Sequence, residues 1–282
     1  MGSFSVNNDI SLLNSINQLN FNNNNLNNTL NRLSTGMRIN TGADDAAGLQ
    51  IADSLRGNVM ASDQSVRNVN DGISVLQIAD GALGQINDLL HRAVTLAEEA
   101  SSEMISDNGR AALDHEYQQI LAEIDRIGES TNFNGTALFS DKFGNSGPTD
   151  GLDVFAGDLF SQGASSYISA STGSISAENL GLSSNLLTTE GSANALGEIK
   201  EALNTTDSMR GEIGASMNRL QSAVNVNSAK SQNTLSAGSA IRDANMAEEI
   251  TNMAKSQLLI QAGIAALAHS NANSQNMLRL LQ

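Results

Sequence analysis

Residues 12–37 read LLNSINQLNFNNNNLNNTLNRLSTGM, and their spacing decides the fold. Leu12, Ile16, Leu19, Leu26, Leu30, Leu33 and Met37 recur at alternating intervals of four and three once Asn23 is counted among them. That is the stripe of a coiled-coil helix, which repeats its apolar face every seven residues. At ~1.5 Å per residue such a helix is about 40 Å long. Yet twelve of the first 31 residues are Asn, whose amide competes for backbone hydrogen bonds and disfavours the helix interior. Asp9 is the only charge before Arg32. A short, nearly uncharged, Asn-rich helix does not sustain itself in water. The segment is expected to be unstructured in a lone molecule and to become helical on assembly.

The far end mirrors this pattern. Met246, Ile250, Met253, Ile260, Ile264, Leu267, Leu278 and Leu281 share one stripe, with Gln257, Asn271 and Ser274 as its polar members, and after Lys255 only Arg279 is charged. The two neutral, amphipathic ends form a matched pair suited to packing many copies together. Charge supports that division. Residues 1–60 hold three basic and four acidic side chains and residues 230–282 hold four and three, so the whole net charge of −15 resides in the middle of the chain. An acidic middle keeps an assembly soluble while its neutral ends crowd together.

Between the ends lie further helical blocks. Val66, Val69, Ile73, Leu76, Ala79, Leu83, Ile86, Leu90 and Val94 recur every three or four residues over about 60–100, and Leu113, Ile120, Leu121, Ile124 and Ile127 do so over about 107–130. Asn132-Phe133-Asn134-Gly135 signals a turn. From 140 to 190 Gly, Ser and Thr dominate, and Ser166–Ala170 reads as a weak strand. Helical texture returns from about 190. The single proline, Pro148, leaves the helical blocks unbroken. The predicted fold is mainly α: a long antiparallel helical bundle and coiled coil formed by the N- and C-terminal segments, with a small β-rich excursion in the middle. The predicted domains are 1–44 with 242–282 as a terminal coiled coil, 45–139 with 190–241 as an inner helical bundle, and 140–189 as a short variable region.

The residues of catalysis are missing. The chain has no cysteine, which excludes disulfides and thiolate chemistry. His91, His115 and His269 are far apart and fit no zinc motif. Asp44-Asp45 precedes Ala46-Ala47-Gly48 and reads as a loop entering a helix, its acids near the positive helix end. The Asp- and Gly-rich stretch 141–153 places Phe143 and Leu152 where a calcium loop needs oxygen ligands. No enzyme, metal, cofactor or nucleic-acid partner is expected. No signal peptide and no membrane span is apparent, so the chain is expected to be either cytoplasmic or exported by a route that reads no cleaved signal. Ser161, Ser165, Ser166, Ser169, Ser171, Thr172, Ser174 and Ser176 form a polar cluster with candidate positions for O-linked glycans.

Leu33-Ser34-Thr35-Gly36-Met37-Arg38-Ile39-Asn40-Thr41-Gly42-Ala43-Asp44-Asp45-Ala46-Ala47-Gly48-Leu49 resembles the N-terminal signature of bacterial flagellins, and the run through Asn218-Arg219-Leu220, Gln261-Ala262-Gly263 and Gln275-Asn276-Met277-Leu278 is similar to their C-terminal segment. Asp71–Leu83 and Phe133-Asn134-Gly135 fit the family between them. The resemblance covers roughly 1–140 and 190–282, as in a minimal flagellin without large outer domains. It implies a subunit of the flagellar filament, exported through the flagellar type III channel, held by an export chaperone on its C-terminal segment, and bounded by hook-associated junction and cap proteins. The alternative is a hook–filament junction protein. It also implies Arg92, Leu96 and Glu116 as contacts for Toll-like receptor 5. Val94 and Thr95 replace a family Arg-Glu pair there, so weak binding is implied.

Overall fold

The computed structural model describes residues 10–139, 152–157, 167–170 and 173–280, and the side chains among them from Leu12 to Ala272. Five helices dominate: α1 (Ile10–Thr35), α2 (Ala46–Ala100), α3 (Asp107–Ser130), α4 (Thr189–Arg242) and α5 (Met246–Leu280). Among the described residues, four short strands, β1 (Asn132–Phe133), β2 (Thr136–Ala137), β3 (Leu152–Phe155) and β4 (Tyr167–Ala170), lie between α3 and α4. The expected mainly-α architecture with a β-rich excursion is therefore what forms. The chain divides into two compact units, Met1–Arg56 with Thr234–Gln282 and Gly57–Asn233.

The Gly57–Asn233 unit is built on α2. Ser62, Val69, Leu76, Leu83, Leu90 and Ala97 stand seven apart and are all 1% exposed or less. A residue every seven, with a second set three positions on, keeps one face of a helix against its partners along its whole length. The second set is mostly small, Ser65, Gly72, Ala79, Ala93 and Ala100, with Ile86 among them. Tyr117, Ile120, Leu121 and Ile124 of α3 and Ala195, Ile199, Ile213 and Leu220 of α4 complete the core. Ser106 caps α3, its side chain accepting from the Gly109 N–H, which satisfies one of the orphan donors at the helix start.

The predicted turn after α3 is a two-residue hairpin. Asn134 (φ 51°) and Gly135 (φ 81°) both take positive φ, the signature of a type I′ turn joining β1 to β2. The weak strand expected near 166–170 is β4, which pairs antiparallel with β3 from Leu152↔Ala170 to Phe155↔Tyr167. The Ser cluster falls partly outside the described residues: Ser161, Ser165, Ser166, Ser171 and Thr172 are not among them.

Residues 173–188 return the chain to α4 with almost no regular structure, and carboxylates hold them down. Asp125 accepts from the Ala177 N–H at 2.7 Å and Asp114 from the Leu186 N–H at 2.8 Å. Glu198 accepts from the Ser183 and Ser184 N–H groups, each at 2.9 Å. Burial works to raise the Glu198 carboxyl, but the hydrogen bonds from Ser184 and Ser183 outweigh it and hold the group below its usual value.

Tyr117 is fully buried and its hydroxyl has no hydrogen-bond partner. Burial pushes the phenol up to about 12, with the Glu198 and Asp114 carboxylates adding to the effect. A pKa raised in the folded state gives stability that is whole below the unfolded value near 10 and lost as pH climbs to about 12. Tyr117→Phe removes both the orphan hydroxyl and the titration. It should melt no lower than the parent at pH 7 and retain its melting temperature between pH 10 and 12, where the parent's falls. Leu83→Ala, by contrast, should lose about 2–5 kcal/mol in denaturant unfolding.

Candidate self-assembly surface

In the unit formed by the two ends, α1 and α5 pack along each other. The side chains of α1 facing α5 are Leu12, Ser15, Leu19, Asn22, Leu26, Thr29 and Leu33, which are buried or half-buried at intervals of three and four. The facing set on α5 is Glu249, Met253, Ser256, Ile260, Gly263, Leu267 and Ser270. Each seam alternates a large apolar residue with a small or polar one. Asn22, Thr29, Ser256 and Glu249 are each less than 10% exposed, while the large members are only half-buried. The small members bring the helices close: a Cβ at Gly263 would lie 3.3 Å from Leu19 Cδ1.

The stripe expected from the sequence is divided by this geometry. Leu12, Leu19, Leu26, Leu33, Met253, Ile260 and Leu267 face the intrachain seam. Ile16, Leu30, Met246, Ile250 and Ile264 point away from it and are 39%, 41%, 44%, 50% and 56% exposed. The side chain of Leu278, and all of Leu281, lie outside the described residues. The reason is geometric. From Leu12 to Leu19 the stripe can pass through Ile16 or through Ser15, one position apart. Hydropathy selects Ile16, whereas close helix approach selects the small Ser15. The large apolar side chains are left on the outside, joined there by Leu13, Phe21, Leu258 and Leu259.

The turns that follow α1 and precede α5 are clasped together. Met37 and Asp243 form an isolated antiparallel bridge, flanked by hydrogen bonds from Arg38 N–H to the Arg242 carbonyl at 2.7 Å and from Ala244 N–H to the Gly36 carbonyl at 2.9 Å. Gly36, at φ 72°, ends α1 in the left-handed conformation that glycine adopts without strain. Arg32 reaches Glu249 at 3.5 Å and Asp44 at 3.9 Å. Asp44 is held below its usual carboxyl value by hydrogen bonds from the Thr41 backbone and side chain and the Asn40 backbone, with Arg32 assisting. Asp45 caps α2, accepting from the Gly48 N–H at 2.9 Å. The acid pair is thus structural, as its position before a helix implied.

The other candidate positions lie in the Gly57–Asn233 unit. Arg92 donates twice to Glu116, at 3.0 and 2.7 Å, on an exposed surface. Leu96 is 1% exposed and belongs to the core. His91, His115 and His269 are all exposed, and no group of three metal-ligating side chains occurs among the described residues. None of the described helices is long and apolar enough to cross a membrane.

A clasped pair of terminal helices with a half-polar inner seam and several large apolar side chains left outside it is the geometry of a helical structural protein. Comparison with known proteins agrees. Residues 6–143 match the model of the bacterial flagellin N-terminal helical region and residues 196–281 that of the bacterial flagellin C-terminal helical region. The chain is 31% identical to the flagellar filament 31.3 kDa core protein of Treponema maltophilum and 33% identical to a flagellin of Halalkalibacterium halodurans, covering in each case 98% of this chain and 99% of the relative. A solved structure described as a flagellar hook-associated protein from Vibrio parahaemolyticus shares the fold at a TM-score of 0.53 and 14% identity, over 71% of this chain and 100% of that one. The chain belongs to the bacterial flagellin family. It is a self-assembling structural subunit of the flagellar filament.

Gly263 gives the seam its test. Gly263→Leu forces a side chain into the space of Leu19 and should part α1 from α5. Incorporated into filaments beside the parent protein, it should then expose Arg32 to trypsin, with cleavage inside 57–233 unchanged.

Proposed function

We propose that filament growth is carried by the outer apolar face of the α1–α5 pair, which each copy presents to its neighbours at the core of the filament. The observation behind this reading is that Ile16, Leu30, Ile250, Leu258 and Ile264 remain 39–66% exposed although the helices bearing them are already paired. Burying one such aliphatic side chain contributes about 1.5–3 kcal/mol. Ordering one residue of backbone costs about 1–2 kcal/mol. A pair whose inner seam is half polar has little surplus on that scale, and contacts with further copies supply it. The helical conformation of α1 and α5 is then the assembled one, and a lone molecule samples it only in part. That places order-on-assembly in the stability of the pair rather than in its geometry. Neutral amides such as Asn22 suit the crowded core because they carry no charge to desolvate. Contacts of this head-to-tail kind do not close on themselves and so build an open helical polymer.

The same reading makes 1–44 with 242–282 the filament core, 45–139 with 190–241 the surrounding bundle and 140–189 the variable outer part. It carries with it export through the flagellar type III channel, an export chaperone on the C-terminal segment, and hook-associated and cap proteins as neighbours. A hook–filament junction role is the second reading, which extended homopolymer growth from purified protein separates from the first. For Toll-like receptor 5 only Arg92 and Glu116 offer accessible groups, already joined to each other in an exposed pair of the kind worth less than about 1 kcal/mol.

Ile264→Asp alters the outer face one residue from Gly263. Purified protein carrying it should retain the parent's thermal unfolding of the 57–233 unit and fail to elongate seeded filaments, as followed by light scattering and electron microscopy. Normal elongation would contradict the proposal. In the parent, trypsin should cut monomer early at Arg32, Arg38, Arg242 and Lys255 and spare those sites in filaments.

A further inference from the structure

We propose that two buried polar layers, Asn87 with Thr206 and Ser65 with Asn227, set the axial register of α2 against α4. The apolar seam cannot set it alone. Buried positions repeat every seven residues on α2, at Val69, Leu76, Leu83 and Leu90, and every seven on α4, at Ile199, Thr206, Ile213 and Leu220. A seam with that repeat matches itself again after a slide of seven residues, about 10.5 Å along the axis. Apolar burial is non-directional and hardly distinguishes the alignments.

Hydrogen bonds do distinguish them. Asn87 is 7% exposed and Thr206 fully buried. Thr206 Oγ1 donates to Asn87 Oδ1 at 2.5 Å, and Asn87 Nδ2 donates to Asp207 Oδ1 at 2.8 Å. Slid by seven, Asn87 would face Ile199 or Ile213, and Asp207 would be replaced by Lys200 or Gly214; none of these side chains accepts its amide protons. Thr206 would still have the Ala202 carbonyl, 3.1 Å away, as an acceptor, so Asn87 is the group that discriminates. The second layer agrees. Asn227 Nδ2 donates to Ser65 Oγ at 2.9 Å and to the Ala156 carbonyl at 3.0 Å, and a slide in one direction would put Gly72 in place of Ser65. Two links nearer the surface share the alignment, Arg210 to Asp80 at 2.9 Å and Ser231 to Asp63 at 2.8 Å. Buried amides left unpartnered are penalised more heavily than exposed ones. The inner layers therefore select the register, much as a single polar residue does in a coiled coil.

The chain has no cysteine, so introduced pairs report the register without interference. D80C/R210C reports the observed alignment, and D80C/L203C and D80C/M217C report slides of seven either way. Disulfide formation is measured in the unassembled full chain, so this test is independent of the filament reading, on which only filament yield rests. In the parent background, cross-linking should be confined to the 80–210 pair. In N87L/T206V/N227L the 80–210 yield should fall at least two-fold and a slid pair should appear, while the melting temperature does not drop. N87T/T206N, which keeps the buried link in reverse, should restore the parent pattern and filament yield. Parent-like cross-linking in the leucine variant would overturn the proposal. Should that variant fail to fold, T206V/I213T moves the hydroxyl one repeat along α4: new cross-linking at 80–217 supports the proposal, and an unchanged pattern overturns it.

Discussion

The structure depends on one constraint: the seam between α1 and α5 alternates large apolar side chains with small or polar ones, and Ile16, Leu30, Ile250 and Ile264 are left outside it. Had Ile16 and Ile264 faced the seam, the terminal pair would have less apolar surface left to bury. With Ser15, Asn22, Thr29, Ser256 and Gly263 inside, the helices approach closely but gain little from it. On the proposed reading, the apolar surface left outside is what makes a second copy favourable. Exposed apolar residues grouped in this way mark an interaction face, and the few charges beside them, Glu248 and Lys255 among the exposed ones, keep the desolvation penalty of crowding small.

The two units of the chain use one repeat to different ends. In the Gly57–Asn233 unit the positions seven apart on α2 are Ser62, Val69, Leu76, Leu83, Leu90 and Ala97, and they are buried in a core that is mostly apolar. In the terminal unit the large positions seven apart are Leu on α1 and Met253, Ile260 and Leu267 on α5, their alternates are small or polar, and the large ones are only half-buried. The clasp around Met37 and Asp243 ties the two terminal helices together where the chain enters and leaves them. A subunit that must be a monomer before assembly and a polymer after it benefits from a complete core in one unit and an incomplete one in the other.

Much of this was legible in the residues. The helices, the hairpin at Asn134-Gly135, the strand at Tyr167–Ala170 and the capping role of the Asp44-Asp45 loop all follow from periodicity and turn chemistry. The direction of the terminal stripe did not follow. Hydropathy weights Ile16 above Ser15 and Ile264 above Gly263, whereas packing weights the distance of closest approach. The signal that identifies the inner seam is the strict spacing of small polar residues: Asn22 and Thr29, then Glu249, Ser256, Gly263 and Ser270, each seven apart. Leu96 teaches the same lesson from the opposite side, since a residue expected among surface contacts lies in the core because it is three positions from Ala93 and four from Ala100 on the buried face of α2. The carboxylates that hold residues 173–188 left no trace in the sequence, because Asp114, Asp125 and Glu198 lie on helices far along the chain from the backbone they bind.

Amide hydrogen exchange of residues 10–35 and 246–280, compared between dilute unassembled protein and assembled filaments, bears most directly on the central claim. The account predicts exchange within seconds to minutes in the free protein and strong protection in the filament, with the buried amides of α2 and α4 between 57 and 233 protected in both. Terminal helices equally protected in the free protein would show that the α1–α5 pair is stable by itself, and would contradict the claim that its outer face is what completes it.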